Sequence, residues 1–143
     1  MIKLLAIIIA AAVGYLLGSL CFAIIIVKIV KGQDIRTMGS KNAGLTNTLR
    51  CCGSTCAILT LIGDLSKGIL AVSLSRTIAA AMNAGLQYDN NTRYIGYIAA
   101  FFAIIGHVFP LYFKFRGGKG VLVGVASLLL IDWKVFAALI LIF

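Results

Sequence analysis

Acidic residues are scarce in this chain: four Asp and Glu stand against thirteen Lys and Arg, a net charge of +9. Charge of either sign is also rare, at 12% of residues, beside 62% hydrophobic residues. With a mean hydropathy of +1.07, that shortage excludes an ordinary soluble domain and makes an integral membrane protein the natural class. Strict apolar–polar alternation is missing, and long unbroken runs replace it, which argues against an outer-membrane barrel. No soluble basic domain exists to present a groove or helix to nucleic acid, so that class of partner is excluded. Cysteine lacks the paired C-x2-C spacing of a zinc site: Cys51-Cys52-x3-Cys56 has no nearby histidine. With Cys21, these thiols read as small buried apolar residues.

What is present is a series of apolar stretches, each compared with the roughly 20 residues that a spanning helix needs. The first covers residues 4–27. It is longer than the h-region of about 7–15 residues in a signal peptide, so it reads as a retained span. The bulky Leu20 before Cys21 argues against lipoprotein processing. Gly14 and Gly18, one turn apart, let another helix approach closely. Lys28 and Lys31 close this span, and a polar loop follows over residues 32–52. A second span, residues 54–74, carries Asp64 and Lys67 inside it; residues 83–93 are polar and turn-prone. The third, residues 94–113, holds His107 and Pro110 near its end, where the proline ends or kinks the helix. A fourth begins at Val121 and is interrupted by Asp132-Trp133-Lys134. The closing apolar run, residues 135–143, is too short to cross a bilayer. The expected fold is all-α: a polytopic transmembrane helix bundle of about four spans plus a partial fifth. It forms a single domain over 1–143 that we expect to continue past its last residue.

Cations sort the loops. Lys28, Lys31, Arg36, Lys41 and Arg50 lie in or beside the first loop, and Lys114, Arg116 and Lys119 in the third, whereas the second holds Arg76 and Arg93. Positive-inside bias accounts for most of the net charge and places the N-terminus outside, with both rich loops in the cytoplasm. Anionic substrates or lipids are a second use for the same cations.

Four motifs carry chemistry. Phe115-Arg116-Gly117-Gly118-Lys119-Gly120 surrounds one lysine with glycines, so backbone N–H groups can approach an anion. The helix expected from Val121 would point its positive end at the same place. It is not a Walker A loop, because Gly120 follows Lys119 where a hydroxyl residue is required. The first loop supplies Ser40, Asn42, Thr46 and Asn47 as donors and Arg36, Lys41 and Arg50 as charge, with Asp34 its one acid. Asp64 and Lys67, three residues apart, share a helix face at membrane depth, where ionisable groups are paired and often functional. There Lys67 would point to a phosphate pocket with Asp64 orienting it. His107 is the single histidine.

In this order, Gly18-Ser19, Asp34-Ile35-Arg36, Gly39-Ser40-x-Asn42-x-Gly44-x-Thr46-Asn47-x-x-Arg50, Asp64-x-x-Lys67-Gly68 and Gly106-His107-x-Phe109-Pro110 leading to the glycine loop resemble the bacterial PlsY family. These are membrane-integral acyl-phosphate:glycerol-3-phosphate acyltransferases. Two departures stand out: members usually carry glycine where this chain has Lys41, and the family continues into further spans with a third motif. The resemblance implies transfer of a fatty acyl group from acyl phosphate to the 1-hydroxyl of glycerol 3-phosphate. The products would be lysophosphatidic acid and inorganic phosphate, made at the cytoplasmic face of a bacterial plasma membrane, with no cofactor and no metal.

Acyl phosphate is already activated, so the protein needs to neutralise two phosphates, align the hydroxyl and stabilise an oxyanion. On that basis Lys119 with Gly117, Gly118 and Gly120 takes one phosphate, and Ser40, Arg50 and Asn47, with Asn42 beside them, the other. Lys67 and Asp64 support the pocket, and the acyl tail lies between spans. The proton acceptor is either His107 or a substrate phosphate oxygen. Soluble-type His-x4-Asp chemistry is excluded, since Tyr112 stands five positions after His107. Two other classes stay open: a small transporter for a phosphate-bearing solute, and a structural subunit whose cations hold lipid head groups.

Overall fold

In the bilayer every backbone polar group must be satisfied internally, so long apolar runs fold as helices. The computed structural model describes residues 2–82 and 90–142, and no strand occurs among them. The helices are α1 (Ile2–Gly18), α2 (Phe22–Lys31), α3 (Leu45–Cys52), α4 (Ser54–Met82), α5 (Asn90–Val108), α6 (Val121–Ile131) and α7 (Trp133–Ile142). Short 3-10 turns cover Ile35–Thr37 and Leu111–Phe113. Three stretches are long and apolar enough to cross a membrane, Ile2–Lys31, Ser54–Met82 and Thr92–Phe113. The multi-pass helical membrane bundle is therefore as expected, but the described residues hold three stretches of spanning length where about four were expected, and the helices break at different places.

The first stretch is two helices and not one. Leu20 N–H turns back to Leu17 O at 3.2 Å, and α2 restarts on Cys21 O. The carbonyls freed at this break are met from another helix: Lys67 Nζ donates to Gly18 O at 3.1 Å and Leu20 O at 2.6 Å. Hydropathy runs unbroken through these residues, so the break depends on a partner 47 residues away.

Ala6, Ala10, Gly14 and Gly18 recur every fourth residue and form one buried stripe on α1. This stripe packs against α5, where a Cβ on Gly14 would collide with Ala99 O and one on Gly18 with Ala103 O. From the α5 side, Gly106 lies equally close to Tyr15 O. The small-residue spacing thus works as expected. Leu4, Leu5, Ile8 and Leu16 are exposed on α1, as suits a lipid-facing surface.

Helix α4 is the central element, touching α1, α2, α3, α5 and α6. It continues to Met82, past the expected end at residue 74. Of the turn-prone segment 83–93, residues 83–89 lie outside the described ones, and 90–93 are the first turn of α5. Helix α6 spans 11 residues, about 16 Å, short of a crossing. Its last carbonyls are held by Arg76 Nη1 on Leu130 O (3.1 Å) and Arg93 Nε on Ile131 O (3.0 Å). Arg93 also pairs with Asp132 at 2.7 Å, and Asp132 Oδ1 caps α7 by accepting from Lys134 and Val135 N–H.

Cys52 and Cys56 are joined as a disulfide where α3 gives way to α4. Four residues apart, on either side of the break at Gly53, their Cα atoms lie 5.8 Å from each other, within disulfide reach. This pair corrects the reading of all four thiols as separate apolar groups. Cys21 fits that reading, being free and buried.

Candidate active site

The first loop is built around Asn47, which is 1% exposed on α3. Its Nδ2 donates to Asn42 O (3.0 Å), Met38 O (3.1 Å) and Ile35 O (3.3 Å), while its Oδ1 accepts from Ser40 N–H at 2.9 Å. One amide thus folds residues 35–47 into a closed turn and presents Ser40. With both N–H groups engaged, Asn47 organises the loop and has none left for a phosphate. Lys41 follows Ser40 with φ of 60°, a left-handed conformation that glycine adopts most easily. That is the physical sense of the glycine usual there.

Arg36 does not face a ligand either. Its Nε and Nη2 grip Asp34, at 3.0 and 2.7 Å, and its Nη1 donates to Phe113 O at 2.6 Å and Arg116 O at 2.9 Å. The side-chain hydrogen bond from Arg36 holds the Asp34 carboxyl below its ordinary pKa. Arg36 therefore straps the first loop to the third, and the two cation-rich loops meet at one end of the bundle.

Within the glycine loop, Gly117 N–H donates to Val108 O at 3.0 Å and Gly118 N–H to His107 O at 3.1 Å. These N–H groups satisfy the end of α5, contrary to the expectation that they cradle an anion. Closeness is why glycine is needed: a Cβ on Gly117 would sit on His107 O, and one on Gly118 on Ala43 O and His107 Nε2. Gly120 then turns the chain with φ of 76° into α6, whose first N–H groups have no intrahelical partner.

Between these pieces lies a cavity of about 580 Å³. Ser40, Asn42, Asn47 and Arg50 line it from the first loop and α3, Asp64 from α4, His107 from α5, and Lys119 and Gly120 from the glycine loop. Ser40, Arg50 and Lys119 are exposed, whereas Asp64 and His107 are buried at its back. Sequence reading missed Gly44, Leu45, Val121 and Leu122, which also line it. Nothing in their side chains signals this; Val121 and Leu122 contribute through their place in the first turn of α6.

Lys67 is not among the lining residues. It is 2% exposed and turned toward the α1–α2 break, with Asp64 Oδ1 at 3.0 Å and His107 Nδ1 at 2.8 Å. The Asp64–Lys67 pairing is as expected; the direction in which Lys67 points is not. The motifs nevertheless converge, since Arg50 and Lys119 share one cavity.

A family model described as Glycerol-3-phosphate acyltransferase matches residues 8–143. The chain belongs to the glycerol-3-phosphate acyltransferase family. A glycerol-3-phosphate acyltransferase of Pseudomonas fluorescens (strain Pf0-1) is 50% identical over 119 residues, covering 83% of this chain and 57% of that protein. One from Coxiella burnetii (strain Dugway 5J108-111) is 44% identical over 117 residues, covering 82% and 55%. Among solved structures, PlsY (YgiH), an integral membrane glycerol 3-phosphate acyltransferase, is similar in its glycerol 3-phosphate form. The TM-score is 0.75 at 28% identity, covering 94% of this chain and 62% of that one. Its lysophosphatidic acid form gives 0.69 at 25% identity. The resemblance to PlsY is thereby confirmed, and the chain spans just over half the length of these curated acyltransferases.

Proposed function

We propose that this protein transfers a fatty acyl group from acyl phosphate to the 1-hydroxyl of glycerol 3-phosphate, yielding lysophosphatidic acid and inorganic phosphate. Membership of the acyltransferase family supports the acceptor. The observation that carries the reading is the single cavity in which Ser40 and Arg50 face Lys119 and the start of α6. Two cations, Arg50 and Lys119, lining one cavity suit two phosphate-bearing substrates held together.

In this reading Arg50 and Ser40 hold one phosphate, and Lys119 with the first N–H groups of α6 holds the other. The glycerol hydroxyl oxygen bonds to the acyl carbonyl carbon. The bond from that carbon to the phosphate oxygen breaks, and the electron pair leaves on phosphate. The hydroxyl proton passes to His107 or to a phosphate oxygen. No protein nucleophile is required. The cation-rich end of the bundle faces the cytoplasm of a bacterial cell, with the N-terminus outside, by positive-inside bias.

The test is purified full-length protein in detergent, given acyl phosphate and glycerol 3-phosphate, with lysophosphatidic acid and inorganic phosphate followed together. Equal release of both is expected. Uptake of glycerol 3-phosphate into sealed vesicles, with acyl phosphate unconsumed, would establish a transporter and overturn the reading.

A further inference from the structure

Lys67 is a fully enclosed charged side chain of the site region, and the reaction outlined above gives it no contact with substrate. Its surroundings define a different task. An ammonium carries three N–H groups and accepts none. Three acceptors surround Lys67 Nζ: Gly18 O at 3.1 Å, Leu20 O at 2.6 Å and His107 Nδ1 at 2.8 Å. Asp64 Oδ1 stands 3.0 Å away as the counter-charge. Because Lys67 donates, His107 Nδ1 must accept. The other candidate partner for Nδ1, Asp64 Oδ1, is 3.8 Å away, beyond hydrogen-bond reach.

A histidine whose Nδ1 accepts carries its proton on Nε2. That nitrogen lies on the opposite edge of the ring, against Gly118 of the glycine loop, and His107 lines the cavity. We infer that Lys67 is a positioning residue that locks His107 as an Nε2–H hydrogen-bond donor to substrate in the cavity. This inference rests on the acyl-transfer reading for what the donor serves, and it removes His107 from the role of proton acceptor. The other two N–H groups pin the α1–α2 break at Gly18 O and Leu20 O, so the tautomer and the backbone of the first span are set by one side chain.

The experiment uses full-length protein labelled with nitrogen-15 histidine. The His107 signal is identified by its loss in His107→Gln. Wild type is expected to show a bare Nδ1 and a protonated Nε2. Lys67→Met should abolish that single state and lower acyl transfer by about a hundredfold, the scale of losing one aligned donor. A glutamine amide can reach the Nε2 position and an asparagine amide the Nδ1 position. His107→Gln is therefore expected to keep at least tenfold more turnover than His107→Asn, on the order expected for a retained hydrogen bond. A proton on Nδ1 in wild type, or equal inactivity of the two variants, would overturn the proposal even if Lys67→Met does not fold. A wild-type protein that makes no lysophosphatidic acid would instead sink the enzyme reading, and the tautomer would remain measurable.

Discussion

Lys119 is exposed in the cavity and Lys67 is buried behind it, and that difference in setting divides what each ammonium can do. An exposed ammonium beside a helix N-terminus can meet a phosphate dianion and follow its charge as the acyl–phosphate bond breaks. Lys119→Ala is therefore expected to cut acyl transfer by about a thousandfold or more, since charge and donor are lost together. Membrane insertion and thermal stability should stay at wild-type values. Lys119→Arg keeps the charge but replaces a compact ammonium with a planar fork, so it too should lose turnover. Full activity in the arginine variant would indicate a loose cationic surface in place of a fitted phosphate site. His107→Ala should lose less than Lys119→Ala, because it removes one neutral donor.

Among the helices, the seam between α1 and α5 matters most, because both carry site residues or their supports. Backbone-to-backbone approach there leaves no space for even a methyl group at Gly18. Gly18→Val should force the helices apart and lower unfolding stability by about 1–3 kcal/mol or more, as overpacking does. Leu16→Val, on the exposed face of α1, serves as the control and should leave thermal unfolding in detergent unchanged. Equal stability of both variants would mean that α1 does not depend on close approach. This seam was readable from the spacing of Gly14 and Gly18. The interruption two residues beyond it was not, because nothing in Ser19-Leu20-Cys21 stops a helix; Lys67, from α4, satisfies the carbonyls that the break frees.

For the whole molecule, the decisive fact is that both cation-rich loops lie at one end of the bundle, tied by Arg36 to Phe113 O and Arg116 O. Arg76 and Arg93 instead hold the carbonyls at the end of α6. Orientation can be read with a membrane-impermeant thiol reagent. A cysteine at the exposed Lys41 (Lys41→Cys) should gain labelling over the parent protein in inside-out vesicles and not in intact cells. Labelling from outside the cell would reverse the proposed topology and move the chemistry to the wrong face for cytoplasmic substrates.

Composition and patterning determined the solvent of this chain, its helical class, the sorting of cations between loops and the identity of most cavity residues, from Ser40 to Lys119. Those features follow from the cost of burying charge and backbone in lipid, which acts on each segment separately. Roles within the site were decided only by tertiary structure. Arg36, Asn47, Lys67, Gly117 and Gly118 all carry donors that suit a phosphate, yet each has them engaged by main-chain carbonyls or side chains brought near by folding. A donor's residue type is written in sequence, but whether its hydrogens are free depends on which acceptors the fold places within about 3 Å of it.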